Sequence, residues 1–210
     1  MSAVPAPVPT NTATIEIAQP RLFTLGAVLT VNAYGLFLAV PVFVSVLWVS
    51  LLKFGILTVL IPFGAIAVTA FFLPFGLGNP YVASLVRSLT PVGGSDPQGF
   101  IVQLTLSPRI RTGIRSALED ADDVGYLSFS GSGLVFRGDS VKLSLPFDCI
   151  EEVRPHNIGL RGLFVYGRRI RVVISGLPNV DSIELAERSS LLLPTSRKVT
   201  RKLHAQLSKR

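Results

Sequence analysis

Cysteine is almost absent from this chain of 210 residues, in which Cys149 is the only one. A single thiol excludes an internal disulfide and any metal site that needs several cysteines. Histidine is also scarce, and His204 has no second ligand at a spacing typical of metal sites. The sequence therefore predicts no metal and no other cofactor, and it is compatible with a reducing compartment.

Charged residues are also scarce in the N-terminal part of the chain. From Leu22 to Val86 the only charged residue is Lys53, within a run of aliphatic and aromatic side chains. A charged side chain at the centre of a bilayer costs about 2.5 to 3.5 kcal/mol, so uncharged blocks of this length are typical of membrane spans. The pattern predicts a hairpin of two transmembrane helices, at about residues 29–51 and 54–73.

Basic residues next to this run predict its orientation. Arg21 and Arg87 lie at its outer ends, whereas Lys53 alone lies at the turn between the spans. By the positive-inside rule, both termini then face the cytoplasm. We therefore expect an integral membrane protein, of the kind found in a bacterial inner membrane.

Composition divides the rest of the chain. Residues 1–20 are rich in proline and small side chains and predict a flexible tail. Residues 21–78 contain the two spans. Residues 79–99 predict a short interfacial helix followed by a linker, since the Asn-Pro pair at their start favours a helix. Residues 100–210 have a mixed composition and predict one cytoplasmic domain.

The C-terminal domain shows short alternating segments separated by turn residues. Strands are predicted where this alternation occurs: Phe100–Leu106, Tyr126–Phe129, Leu134–Arg137, Val141–Leu145, Ile150–Val153, Leu163–Tyr166, Ile170–Ile174 and Ser182–Glu187. A helix is predicted from Ser107 to Asp120, and a last amphipathic helix after Pro194. The fold class is thus a membrane α-helical hairpin plus an α+β soluble domain, in which a small antiparallel barrel or bent sandwich carries a C-terminal helix.

Four acidic residues lie at the end of the first predicted helix of this domain: Glu119, Asp120, Asp122 and Asp123. Their spacing lacks the glycine and the distal glutamate of a calcium-binding loop. The sequence therefore favours a solvated helix end at this place over a calcium site.

Three segments of the domain resemble a known family. They are the stretch GYLSFSGSGLVFRG from Gly125, the segment LSLPFDCIEEV from Leu143 and the strand RRIRVVI from Arg168. Together with the final helix, they are similar to a pleckstrin-homology-like (PH-like) domain of the GRAM or bacterial membrane-associated kind. The resemblance covers about residues 125–207, and it implies a non-enzymatic module that binds lipid headgroups, peptides or copies of itself.

Basic residues of the domain are the candidate binding residues. The resemblance extends to Arg161, Arg168, Arg169 and Arg171, which are similar to the basic phosphoinositide pattern of some pleckstrin-homology domains. Arginine suits phosphate through its planar fork, and a solvated strand face is the alternative for these residues. Contact with an anionic membrane surface is expected for a second basic set: Arg87, Arg197, Lys198, Arg201 and Lys202.

One set of residues resembles a catalytic nucleophile and its base, namely Cys149 with Asp148 and His156. Cys149 stands next to Ile150 in an apolar strand, where a buried structural cysteine is commoner. We therefore expect no enzymatic activity, and a cysteine-dependent hydrolase is only the third hypothesis.

The whole sequence predicts a non-enzymatic, membrane-anchored interaction or scaffold protein. In this interpretation the hairpin displays the PH-like domain at the inner membrane face, where it binds a protein partner, itself or anionic membrane lipid. The second hypothesis is an accessory subunit of a larger membrane complex. Nucleic acid is not expected as a partner, because the modest basic excess comes without an RNA- or DNA-binding motif.

Overall fold

The computed structural model of the protein describes residues 12–52, 55, 60, 64, 78–89, 99–156 and 169–209. The strands in this part of the chain are β1 (Thr14–Ile17), β2 (Phe100–Ser107), β3 (Asp123–Phe129), β4 (Gly133–Gly138), β5 (Val141–Pro146), β6 (Ile150–His156), β7 (Arg169–Ile174) and β8 (Ser182–Glu187). The helices are α1 (Leu25–Leu52), α2 (Asn79–Leu89), α3 (Ile114–Leu118) and α4 (Leu193–Leu207).

The strands form one eight-stranded antiparallel sheet that curls into a half-barrel, in the order β1-β5-β4-β3-β2-β8-β7-β6. In β5, the buried Leu143 lies between the exposed Lys142 and Ser144. This period of two places one face of each strand in the core and the other outside it. α4 packs against the same core, in which its residues Leu203 and Leu207 are buried.

A second apolar cluster lies on the outer face of the sheet, where α1 and α2 pack. Its buried members are Phe23, Ala27, Val28, Val31, Val82, Val86, Ala121 and Val124. Asp139, in the turn after β4, forms hydrogen bonds with the segment that leads into α1. Its Oδ2 accepts the backbone N–H groups of Arg21, Leu22 and Phe23 at 2.8, 2.9 and 2.8 Å.

The predicted membrane hairpin is wrong, and with it the membrane part of the fold class. In the part of the chain that the structure describes, no helix combines the length and the apolar character needed to cross a bilayer. The physical reason lies at the start of α1, where Ala27, Val28 and Val31 are buried by protein. Most of the second predicted span, residues 54–73, lies outside the described residues. The predicted localisation as an integral membrane protein is corrected with it.

Other segments also differ from the sequence-based expectation. β1 lies within the predicted flexible tail, because its residues pair with β5. The helix predicted from Ser107 to Asp120 is confined to α3, since Gly113 has a φ of 74°, a value that an α-helix cannot contain. The predicted strand Leu163–Tyr166 and the linker residues 90–98 lie outside the described residues.

Candidate interaction groove at the sheet edge

The structure places the predicted headgroup-binding arginines in ion pairs. Arg169 is 2 % exposed and pairs with Asp120 and, at 3.4 Å, with Glu184. Arg171 is partly buried and pairs with the same Glu184 at 3.3 Å. Both guanidinium groups therefore hold strands together. The headgroup site stays a prediction, because its other two members lie outside the described residues: Arg161 and Arg168.

The acidic run predicted as a solvated helix end is buried instead. Glu119 is 1 % exposed, and its Oε2 accepts from Arg188 at 2.8 Å. Asp122 accepts the N–H groups of Leu106 and Arg111 at 2.8 and 3.0 Å. A carboxylate leaves water without a large penalty only when it is paired or hydrogen-bonded. Within the described ranges, no group of three or more histidine, cysteine, aspartate or glutamate side chains could hold a metal ion.

Burial and neighbouring charges shift the pKa values of two adjacent carboxyl groups in this cluster. Burial raises the pKa of Glu119 above its usual value, against the opposing charge of Arg188. For Asp120, burial acts in the same direction, but the charge of Arg169 and a hydrogen bond from Glu119 outweigh it, so its pKa lies below the usual value. Of the two groups, Glu119 is therefore the harder one to ionise. Because its side chain is enclosed, we assign its contact with Arg188 to stability and not to the binding of a substrate.

Asp123 is a third buried carboxyl group. Its Oδ2 accepts the N–H groups of Ser140 and Val141 at 2.8 and 2.6 Å. Burial outweighs these bonds and raises the pKa of Asp123 to about 6. The folded state then binds this proton more tightly than the unfolded state, whose aspartate has a pKa of about 3.9. The contribution of Asp123 to stability is therefore greatest below pH ~4 and falls as the pH rises through ~6.

We expect the variant Asp123→Asn to lack this fall in stability. The difference in unfolding free energy, variant minus wild type, should increase between pH 4 and 6.5, with a slope of at most about 1.4 kcal/mol per pH unit. Urea unfolding at intervals of half a pH unit measures it. Asp148→Asn, at an exposed position, is the matched control and should follow the wild type. Parallel curves for Asp123→Asn and the wild type would contradict the assignment.

β6 forms one edge of the sheet. It pairs with β7 and has no second neighbour among the described strands. Its side chains are exposed or only partly buried along the whole strand. The ladder with β7 shifts register between Ile150 and Glu152, and such a bulge increases the local twist. An edge of this kind presents backbone groups with which another strand can pair.

A cavity of about 320 Å³ lies beside this edge, at the C-terminal end of α4. We call it the β6 groove, and its lining residues are Phe147, Ile150, Glu151, Glu152, Val153, Leu207 and Ser208. Four of these residues are apolar, and Leu207 is buried in the core below. The volume is near the lower end of the range of ~300 to 1,000 Å³ for ligand pockets. The groove is therefore suited to side chains of a bound segment.

The rim of the β6 groove carries acidic side chains. Glu151 and Glu152 line it and are exposed, and Asp148, next to the lining residue Phe147 in the sequence, is exposed as well. Glu152 pairs with Arg154 at 3.7 Å, but the two side chains are 53 % and 51 % exposed. An ion pair this exposed contributes at most about 1 kcal/mol. The carboxylates of the rim are thus available to a cationic partner.

The basic residues predicted to contact a membrane surface do not line this groove. Arg197 is partly buried on α4. The other four are exposed, on α2 and α4: Arg87, Lys198, Arg201 and Lys202. α2 buries its apolar side against protein, as Val82 and Val86 show. The role of the basic set stays a prediction.

The predicted nucleophile and base are held apart. Cys149 precedes β6 and His156 ends it, so an extended strand separates them by about 20 Å. His156 Nε2 instead lies 3.5 Å from Oε1 of Glu184. Asp148 is exposed at the rim. Along this strand, the three residues do not form a catalytic set.

Sequence reasoning missed both the buried ion pairs and the β6 groove. For the ion pairs a signal was present in the sequence, because Ala121 lies within the acidic run and Val124 directly follows it; both are fully buried apolar residues. For the groove there was no local signal. Its two walls, β6 and the end of α4, are distant in sequence and meet only in the fold.

No family model and no curated protein matches the sequence. The curled antiparallel sheet neither confirms the PH-like resemblance nor rules it out. That resemblance therefore stays a prediction.

Proposed function

We propose that this protein is a non-enzymatic interaction protein whose sheet domain, PH-like in its sequence pattern, presents the β6 groove to a protein partner. The observation that carries the proposal is that a cavity lined in part by apolar side chains lies beside an edge strand of the sheet. Addition of a strand to a sheet edge is a recurring mode of peptide recognition, in which the main chain supplies affinity and neighbouring pockets supply specificity.

The opposite edge of the sheet supports the choice of β6. β1 is also an edge strand, but it is four residues long, and it contributes no residue to the groove. A short edge offers few backbone groups for pairing. β6 is seven residues long and has the cavity next to it. It is therefore the more suitable of the two edges for a bound segment.

A protein partner is favoured over a lipid headgroup. The described members of the predicted headgroup set, Arg169 and Arg171, are engaged in ion pairs with acidic side chains of the domain. The groove itself carries acidic residues, which repel a phosphate. Catalysis is not proposed, since Cys149 and His156 lie at opposite ends of β6.

Exposed apolar side chains on α1 support the alternative that the chain is a subunit of a larger assembly. Val44, Leu47 and Trp48 are 53 %, 52 % and 64 % exposed. They are three and four residues apart in the helix, so their side chains are neighbours on one side of it. Large exposed apolar side chains on one side of an element mark contact surfaces. This second surface is compatible with the binding function proposed for the groove.

Site-specific photo-crosslinking in the native host tests the proposal. A photoreactive phenylalanine derivative replaces Glu151 on the rim of the β6 groove. We expect a discrete adduct with a partner protein after irradiation, because the reactive group lies where the partner is proposed to bind. Denaturing electrophoresis and mass spectrometry detect the adduct.

Glu16 provides a matched control for this experiment. It is an exposed glutamate on β1, the opposite edge strand. The same photoreactive group at Glu16 should give no adduct of that mass. The proposal would be overturned by the absence of an adduct from Glu151, or by identical adducts from both edges.

A further inference from the structure

Hydrogen bonds of β7 determine which backbone groups of β6 face outward. The N–H of Ile174 donates to the C=O of Asp181 at 3.0 Å, on the β8 side. The next N–H, that of Ser175, donates at 2.9 Å to the residue before β6. Since the direction alternates along a strand, Val172 faces β8, as Ile174 does. Val153, which lies opposite Val172, therefore directs its N–H and C=O away from β7.

The position of Pro155 is consistent with the outward direction of the Val153 N–H and C=O groups. Pro155 lies two residues after Val153 and opposite Ile170 in the ladder. Proline has no N–H, so it is tolerated where the strand has no donor to supply to its neighbour. The outward edge of β6 thus offers a donor and an acceptor at Val153 and a second acceptor at Pro155.

The β6 groove lies directly beside these backbone groups, because Val153 also lines it. A strand that pairs with Val153 would place alternate side chains on the cavity side. The apolar surface available there comes from Phe147, Ile150 and Leu207. One aliphatic or aromatic side chain of such a strand would be removed from water in the cavity.

Charge limits the kind of segment that fits. Among the described residues that line the groove, the charged ones are Glu151 and Glu152. Of the exposed residues that adjoin lining residues in the sequence, Asp148 is acidic, whereas Arg154, which pairs with Glu152, and Lys209 are basic. Complementary charge steers a partner to such a surface and suppresses partners of the wrong sign. A segment with lysine or arginine is therefore favoured, and an acidic one is disfavoured.

We infer that the β6 groove binds an extended basic peptide. The peptide pairs with Val153 as an added strand, places one apolar side chain in the cavity and sets lysine or arginine beside Glu151 and Glu152. The inference rests on the proposed function and names the class of its partner.

Fluorescence anisotropy with the full chain and labelled peptides tests the inference. The probe is the peptide KTKLKTK, and two matched peptides replace its leucine by alanine or all its lysines by glutamate. A fourth peptide has the parent sequence with N-methyl groups on alternate backbone amides, which prevents strand pairing. We expect saturable binding of the parent peptide, binding at least tenfold weaker for the alanine and glutamate peptides, and none for the methylated one.

Protein variants locate the binding. Glu151→Lys should weaken binding of the parent peptide at least tenfold. Glu16→Lys, the same change at an exposed position on the β1 edge, should leave it unchanged. The amide signal of Val153 in a nitrogen–proton NMR spectrum should shift on titration with the parent peptide and not with the glutamate peptide.

Several results would overturn the inference. Equal affinity for the lysine and glutamate peptides excludes the basic character of the partner, and unchanged affinity of Glu151→Lys excludes the groove. A dimer seen by light scattering and lost in Glu151→Lys would assign the edge to a second copy of the chain. If the peptides fail while crosslinking at Glu151 gives its adduct, the peptide class is wrong and the proposed function stands. If crosslinking also fails, both are wrong.

Discussion

Replacement of Arg188 by alanine is expected to lower the free energy of unfolding by about 3 to 5 kcal/mol. Arg188 is 3 % exposed, and its Nη2 donates to Oε2 of the enclosed Glu119 at 2.8 Å. Its Nη1 also reaches Oδ1 of Asn79, at the start of α2, at 3.4 Å. The alanine variant leaves Glu119 buried without the charge that opposes the rise of its pKa, and it loosens the contact between the sheet and α2.

Urea unfolding followed by circular dichroism measures this effect. Arg201→Ala, at an exposed position of α4, should change the free energy of unfolding by less than about 0.5 kcal/mol. The double variant Glu119→Leu with Arg188→Met should recover most of the loss, because apolar side chains of similar volume often replace a buried ion pair without a penalty. A loss below about 1 kcal/mol for Arg188→Ala would show that the pair is not needed for stability.

Asp139→Ala is expected to detach the start of α1 from the sheet and to lower stability by roughly 3 kcal/mol. Oδ2 of Asp139 accepts three consecutive N–H groups, those of Arg21, Leu22 and Phe23. A hydrogen bond to a charged group contributes about 1.5 to 3 kcal/mol. Because the three donors share one oxygen, their contributions do not add in full.

Hydrogen exchange of the amides of Arg21, Leu22 and Phe23 measures this effect locally. In Asp139→Ala these amides should lose protection, while amides of the central strand β2 should keep most of theirs. Asp139→Asn retains an acceptor oxygen and should show a smaller loss. Asp148→Ala, an exposed aspartate, is the control. Unchanged protection in Asp139→Ala would mean that the apolar contacts of Phe23 alone hold this segment.

The strands of the meander were predictable because their signals are local. The predicted segments Tyr126–Phe129, Leu134–Arg137 and Val141–Leu145 lie within the observed β3, β4 and β5. Alternation of apolar and polar side chains has a period that only a strand uses to bury one face. Glycine-rich and Gly-Asp turns between these strands limit their lengths. The start of the last helix was predicted to within a few residues for a similar reason, since Pro194 suits a first helical turn.

Predictions of what surrounds a segment, whether protein, lipid or water, were wrong for α1 and for the acidic run. Apolar residues at the start of α1 indicate that they leave water, but the same composition suits lipid and a protein interior. The contacts of Val28 and Val31 with α2 and the sheet decide for protein. The acidic run from Glu119 to Asp123 was predicted to be solvated, because partners such as Arg188 are far away in sequence. Only the fold brings those partners within hydrogen-bond distance.

In the candidate site, too, the strand was predictable from local sequence, whereas its position in the sheet was not. Glu151, Glu152 and Val153 were visible as part of a strand, but an edge strand and a central strand can have the same local sequence. Position in the sheet is set by the pairing of all eight strands. The apolar side of the groove depends on Leu207, whose helix packs across the sheet.

The sequence by itself determined where the strands β3, β4 and β5, the turns between them and the last helix form, because these depend on neighbours within a few residues. It also determined that no disulfide can form, since a single cysteine has no partner in the chain. The tertiary structure alone decided what buries the apolar start of α1, which charges pair in the interior and which strands form the edges of the sheet. These outcomes depend on contacts between residues far apart in the chain, and their stabilisation exists only once the whole fold has formed.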